Sequence, residues 1–258
     1  MPDTRVTKAR LKNFFFYSKW LFAAVIAIVF IVTDLLYTTT RYRSPDEREV
    51  SFQIVTSYVE TETGLKDVAA KALEEGKVFD PTLEEVTFSC IGYNPDDSTD
   101  TYGYQKYYVM VGSGEGDIYM VPKSLMKSLA SQGYLVPLEG YIDEGILDPG
   151  DVDLADCTFH ENPEDEGYDP NATHIYAVPC DNLNAMMEED IGVNNHGFYF
   201  VIMAFSANPD TSAYVMGSVI GQLTAPEPEW YTEAMAARSE STEEGTNVFD
   251  EALGNAGY

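Results

Sequence analysis

Histidine, cysteine and basic side chains are all scarce in this sequence. Its 258 residues include three His, three Cys and 15 Lys or Arg against 43 Asp or Glu, for a formal net charge of -28. From position 21 onward only ten Lys and Arg face 42 acids. That part is repelled by phosphate backbones and anionic lipid surfaces, which excludes nucleic acid as a partner. Cys90, Cys157 and Cys180 form no CxxC pair and have no companion His cluster, which excludes a dithiol redox motif and a zinc ribbon. Cys157 and Cys180 are a candidate disulfide around an Asp- and Pro-rich loop if the domain lies outside the cytoplasm. The alternative is that each is a small buried apolar residue. His160, His174 and His196 are dispersed and form no HExxH pair, and no serine sits in a GxSxG context. Adjacent acids such as Glu84 and Glu85 carry no weight in so acidic a chain. No catalytic residue, metal site or cofactor motif is read, so the chain is taken as non-enzymatic.

What is present is one long apolar run. Trp20 to Thr33 carries no charge, and the run extends to Tyr37 with only Asp34 interrupting it. A bilayer core of about 30 Å needs about 20 helical residues, so the sequence predicts a transmembrane signal anchor over 16–37, with Lys19 and Asp34 near the two interfaces. Arg5, Lys8, Arg10, Lys12 and Lys19 precede or open the run. By the positive-inside rule they place residues 1–15 in the cytoplasm, although Arg41 and Arg43 reduce the asymmetry. The other reading, a cleaved signal peptide, needs a small-residue cleavage site that LLYTTTRYR does not offer. The expected location is the cell membrane, single-pass, with the C-terminal part extracytoplasmic.

The polar, aperiodic residues 38–49 read as a stalk. VSFQIVTSYV from Val50 is a strand, followed by TGLKDVAAKALEEG with helical apolar spacing from Leu65 to Leu73 and an end at Gly76. EEVTFSCIGY (Glu84 to Tyr93) is a second strand, and NPDDSTDTYG an exposed turn. Tyr104 to Val111 fits either a helix or a strand, DIYMVP (Asp117 to Pro122) a buried strand, and KSLMKSLASQG a helix ended by Gly133. The acid-, Pro- and Gly-bearing stretch from Glu139 to Asp169 reads as a long loop. HIYAVP and GFYFVIMAFS supply further strands, and TSAYVMGSVIGQL a helix after the Asn208-Pro209 turn. Strands alternating with helices imply an α/β fold with a mixed sheet over 50–224. Residues 225–258 form an acidic tail expected to be disordered, apart from a short helix near Trp230.

The Gly-rich stretch VGSGEGDIYMV (Val111 to Val121) permits close backbone approach to a ligand and leads into a strand, and ligands of open α/β sheets gather at strand ends. It lacks GxxxxGKS/T and is no phosphate loop; the competing reading is a plain helix-to-strand turn. Ser113, Gly114, Glu115 and Asp117 are the ligand-binding candidates there. Asp148, Asp151, Asp153 and Asp156 have oxygen-rich spacing, but the sixth and twelfth EF-hand positions fail, so an exposed acidic loop is preferred to calcium. Tyr102, Tyr104, Tyr107 and Tyr108 offer stacking area for a sugar or peptide, against an ordinary role in core and rim. Asn171-Ala-Thr173 fits a glycosylation acceptor and is discounted.

Three segments resemble the extracellular solute-binding proteins of ABC importers, with a type 2 periplasmic-binding-protein fold. In Gly112 to Asp143, a Gly-rich turn, a strand and a helix lead to a G-x-L-x-PL-x-x-Y/I segment, here Gly133, Leu135, Pro137, Leu138, Tyr141 and Ile142. IYAVPCDN (Ile175 to Asn182) resembles that family's YG-x-P strand. Phe198 to Gly221 resembles its strand, S-x-NP-x-x-A and helix. The resemblance covers about half of the ectodomain and implies a single mixed-sheet lobe; it adds Asp181 and Asn182 as ligand-binding candidates. The chain departs from the family in its length, in the absence of a helical second lobe and in keeping its anchor. The basic start and single span also resemble membrane-anchored, single-span proteins of Gram-positive bacteria whose role is not known.

These readings imply a membrane-tethered extracytoplasmic domain that binds a small-molecule ligand or a membrane-complex partner, without cofactor. The alternative is a structural or assembly protein of a cell-surface membrane complex with no small-molecule ligand. An open cleft beside Ser113, Gly114 and Glu115 favours the first and a filled one the second.

Overall fold

The computed structural model describes residues 8–40, 42–57, 63–95, 97–160 and 172–235. The chain divides into two compact units, Met1–Arg43 and Ser44–Tyr258. The first contains one helix, α1 (Lys8–Thr40). Its segment Lys19–Thr40 has a mean hydropathy of 2.3, and none of that apolar surface is buried. At 1.5 Å per residue its 22 residues span about 33 Å, enough for a hydrocarbon core. No membrane-length helix other than this one occurs among the described residues. Thr38 to Thr40, expected to begin the stalk, continue the helix, and their hydroxyls return to carbonyls of the preceding turn, Thr39 to Leu35 at 2.7 Å and Thr40 to Leu36 at 2.6 Å. Such bonds satisfy the hydroxyls without water.

The second unit is mixed α/β. Strands β1 (Glu49–Thr56), β2 (Glu85–Gly92) and β3 (Ile118–Pro122) are parallel, in the order β2-β1-β3. The sheet continues through β7 (Phe198–Ile202), antiparallel to β3, and β6 (Val178–Pro179), antiparallel to β7. Side chains alternate across a strand, so the even positions Val50, Phe52 and Ile54 share one face with Ile118, Met120, Phe200 and Ile202. Helices α2 (Thr63–Phe79) and α6 (Pro209–Leu223) cover that face through Leu65, Ala69 and Ala72 and through Val215, Met216 and Val219. The other face carries Val55, Ile91, Tyr119, Val121 and Val201. It packs on α3 (Thr101–Ser113) through Tyr107 and on α4 (Lys123–Ser131) through Met126, Leu129 and Ala130.

Helix α2 does not end at Gly76. It runs one turn further, and Gly76 is buried where α2 meets α6: a Cβ there would lie 2.7 Å from Leu83 Cδ2 and 3.0 Å from Val215 Cγ2. The ambiguous stretch after Tyr104 is helical, started by Asp100, whose carboxylate accepts from the Gly103 N–H at 2.9 Å and the Asn94 N–H at 3.0 Å. The stretch read as a long loop contains helix α5 (Glu139–Asp143), a 3-10 turn at Ala155–Cys157 and strand β4 (Thr158–His160). HIYAVP divides into β5 (Thr173–Ile175), which pairs with β4, and β6 in the main sheet. Apolar contacts explain this order, since Leu138 and Leu147 are buried in the α2/α6 core. Tyr141 donates to Asp210 at 2.9 Å, and the His174 ring Nδ1 is hydrogen-bonded to Glu139 Oε1. After α6, Ala225 bridges to Leu183, and residues 229–235 are helical, with Tyr231 stacked on His196 at 4.5 Å. That matches the short helix expected near Trp230. Asn171 and the tail from 236 lie outside the described residues.

Candidate functional site

Strand β1 changes character along one face. Its odd positions are Glu49, Ser51 and Gln53 before the buried Val55, and the neighbouring β2 presents Thr87 and Ser89 before Ile91. Helices α3 and α4 cover the apolar part of this face, whereas the polar part floors an open cleft of about 350 Å³. The cleft's wall is the turn from α3 to β3. Gly114 caps α3 at φ 71°, a left-handed conformation favouring glycine. Gly116, at φ 89°, lets the turn lie against the floor, since a Cβ there would sit 2.6 Å from Gln53 Cγ. Ser113, Gly114, Glu115 and Asp117 all line this cleft, together with Asp46, Phe205 and Ala207.

These residues do not play one role. Asp117 is buried, and both of its carboxylate oxygens are engaged. Oδ2 accepts from the Ser51 N–H and hydroxyl, both at 2.9 Å, and Oδ1 from the Ser206 hydroxyl at 2.7 Å. It therefore clamps the turn to β1 and shapes the cleft. Glu115 is exposed, and its carbonyl accepts from the Tyr119 hydroxyl at 2.5 Å. Burial, followed by the Glu115 and Asp117 charges, pushes the Tyr119 phenol up. Glu49 accepts from the Thr87 hydroxyl at 2.9 Å. Burial raises its carboxyl above the ordinary 4.5; the Thr87 bond opposes this, and Glu85, Asp117 and Asp46 add to it. Gln53 is 6% exposed, and its Oε1 has no hydrogen-bond partner.

Sequence reasoning found the wall and missed the floor. Glu49, Ser51, Gln53, Thr87 and Ser89 were legible as the polar half of a period-2 pattern, EVSFQI and EVTFSC, with apolar residues on the alternate positions. The same alternation describes the solvent side of any ordinary strand, so it does not by itself mark a cleft.

Asp181 and Asn182 lie elsewhere. They line a second hollow of about 490 Å³ with Asp151, Asp153, Asp156 and Tyr199. Residues 113–117 precede β3 and so sit at the amino ends of the parallel strands, whereas Asp181 follows β6 at the carboxyl end of β3. The six candidates thus divide between opposite ends of the sheet, and the second hollow is at the end where ligands of open α/β sheets gather. Three of the four acids of the 148–156 loop are engaged separately. Asp148 accepts from the Gly150 N–H and Asp153 from the Ala155 N–H, both at 2.9 Å, and Asp156 pairs with Lys123 at 2.6 Å. Among the described residues, no group of three or more His, Cys, Asp or Glu converges on a metal position.

Cys90, Cys157 and Cys180 are free thiols in the structure, so the candidate Cys157–Cys180 disulfide is not formed. The physical reason is their placement: Cys180 packs in the α2/α6 core and Cys157 in the α3/α4 core. Burial pushes the Cys157 thiol up to about 12, and Cys180 is raised by the same cause. Tyr104, Tyr107 and Tyr108 form a ring series with Tyr93 and Tyr119, at 4.4 to 6.4 Å between centroids, that packs α3 on the sheet; Tyr102 is exposed.

No protein-family model matches the chain, and no curated protein matches it significantly in sequence. Among solved structures it is similar to an extracellular solute-binding protein family 1 from Alicyclobacillus acidocaldarius subsp. acidocaldarius DSM 446. The TM-score is 0.33 and the identity 14%, and the match covers 53% of this chain and 29% of that one. The chain thus spans less than a third of that protein's length, a likeness that transfers neither ligand nor activity.

Proposed function

We propose that this is a single-pass membrane protein whose extracytoplasmic α/β domain, related in plan to one lobe of a solute-binding protein, binds a small polar ligand without catalysis. The observation that carries the reading is the open cleft of about 350 Å³ at the amino ends of β1, β2 and β3. Its size falls in the range of small-ligand sites, and its polar groups converge on one space. Scaffolding would be better supported by a cleft filled with side chains.

The anchor belongs to the same reading. Lys19–Thr40 is long and apolar enough to span a bilayer, and the basic residues before it favour a cytoplasmic N-terminus. The test is a thermal-shift screen of the full-length chain in detergent micelles against sugars, amino acids, amines and peptides. Binding to the folded state alone raises Tm, by about 2.7 kcal/mol of stabilisation at a hundredfold excess over Kd. A rise with at least one compound class is expected, and no rise with any of them would remove the reading.

A further inference from the structure

We propose that residues 227–235 form a pH-sensitive strap, docked on the domain when His196 is charged and loosened when the ring is neutral. The strap sits by the start of β7, at the opposite end of the sheet from the 350 Å³ cleft, and does not depend on what that cleft binds.

The chain that follows α6 is held to the domain in two ways. At its root the Ala225 N–H donates to the Asn182 carbonyl at 3.2 Å, and the Ala225 carbonyl accepts from Asn184 Nδ2 at 2.8 Å. Neither bond involves a titratable group, so the root stays fixed as pH changes. Further on, the hold rests on a histidine. Tyr231, in the short helix over 229–235, lies flat on the His196 ring, with centroids 4.5 Å apart and planes 4° from parallel.

His196 meets an acid on each side. Nδ1 lies 3.7 Å from Asp181 Oδ1, on the loop after β6, and Nε2 lies 3.7 Å from Glu227 Oε1, on the strap itself. Asp181 Oδ1 is fixed in place by the Gly197 N–H at 2.8 Å. Nε2 is buried and has no hydrogen-bond partner. A neutral imidazole carries one N–H, so either tautomer leaves a lone pair facing a carboxylate. The imidazolium presents an N–H to both, and its charge lies over the Tyr231 face, which attracts a cation. Asp181, Glu227 and Tyr231 are the titratable groups that face the ring from the elements packed on it. Two of them reach it only while the strap is docked. Docking therefore favours the charged ring, and by reciprocity the charged ring favours docking. Histidine changes charge between about pH 5 and 8, so the strap is held more tightly at the acid end of that range. Asp181 and Asn182 also line the 490 Å³ hollow, so the state of the strap alters the rim of that hollow.

The test is hydrogen–deuterium exchange of the full-length chain in detergent micelles from pH 5 to 8 at constant ionic strength. It is read by mass spectrometry on peptides spanning 227–235 and corrected for the pH dependence of the intrinsic rate. The Tyr231 and Thr232 amides, both donating to the Pro228 carbonyl, report directly. Their protection is expected to fall about threefold to tenfold between pH 5 and 8, the scale of two partly exposed ion pairs. His196→Gln is expected to abolish that dependence and Glu227→Gln to reduce it. His174→Gln, at a histidine bonded instead to Glu139, is expected to leave it unchanged. Circular dichroism on each variant establishes that it is folded. No protection at any pH, protection that does not vary with pH, or a dependence undiminished in His196→Gln or in Glu227→Gln would overturn the proposal. Loss of the dependence in His174→Gln would overturn it as well.

Discussion

At the scale of single residues, the cleft combines positions that cost stability with positions that maintain shape. Glu49 is of the first kind. Its carboxyl is raised above 4.5 in the folded state, mainly by burial, so its contribution to stability is full below that value and is lost as pH rises through the folded value. Glu49→Gln is therefore expected to raise the Tm of the ligand-free protein at pH 7 and to flatten its fall as pH rises above 4.5, read by circular dichroism melting. A lower Tm at pH 7 would contradict this account of Glu49. Gly116 is of the second kind. Gly116→Ala places a Cβ at φ 89° and 2.6 Å from Gln53 Cγ, and is expected to destabilise by about 1–3 kcal/mol in urea unfolding.

At the scale of elements, close approach between helices explains where a glycine is needed. Alanine gains up to about 1 kcal/mol over glycine inside a helix, whereas forced overpacking costs about 1–3. At Gly76 the second effect prevails, because Leu83 and Val215 already occupy the Cβ position; at Gly112 a Cβ meets nothing within 4 Å. Gly76→Ala is expected to lower stability and Gly112→Ala to raise it, as compared by urea midpoints. Asp80 links the loop after α2 to the start of α6. It accepts from Thr82, and from Asn208 and Thr211 at 3.1 Å, bonds that hold its carboxyl below the ordinary 3.8. The contribution is present above that range and lost as pH falls through the folded value. Asp80→Ala is expected to cost about 1–3 kcal/mol at pH 7 and progressively less in acid.

The elements were also the most legible part of the sequence. The alternation in EVSFQI and the helical spacing after Thr211 each reflect a face buried against a neighbour, so period alone located β1 and α6. Gly76 was misread because a glycine near the end of an apolar pattern looks the same whether it caps a helix or admits a partner helix. The Glu139–Asp169 stretch hid its order because its anchoring residues, Leu138 and Leu147, are single apolar positions with no period. The turn from Ser113 to Asp117 was found through its glycines. Its assignment to one cleft and that of Asp181 and Asn182 to another depended on strand direction, which no local pattern encodes.

At the scale of the whole molecule, the chain joins an apolar helix to a strongly acidic domain. Proteolysis of intact cells expressing the chain is expected to remove the domain while leaving the helix in the membrane; full protection would contradict the proposed orientation. The central claim is that the cleft itself is the ligand site, and filling it tests that most directly. Ser89 is exposed on the cleft floor, so Ser89→Trp occupies the space with little demand on the core. The decisive measurement is the ligand-induced rise in Tm of the full-length chain with and without that substitution. The expected result is a rise in the unmodified protein and none in the variant, with the two ligand-free Tm values alike. An equal rise in both would show that the ligand binds elsewhere and contradict the account.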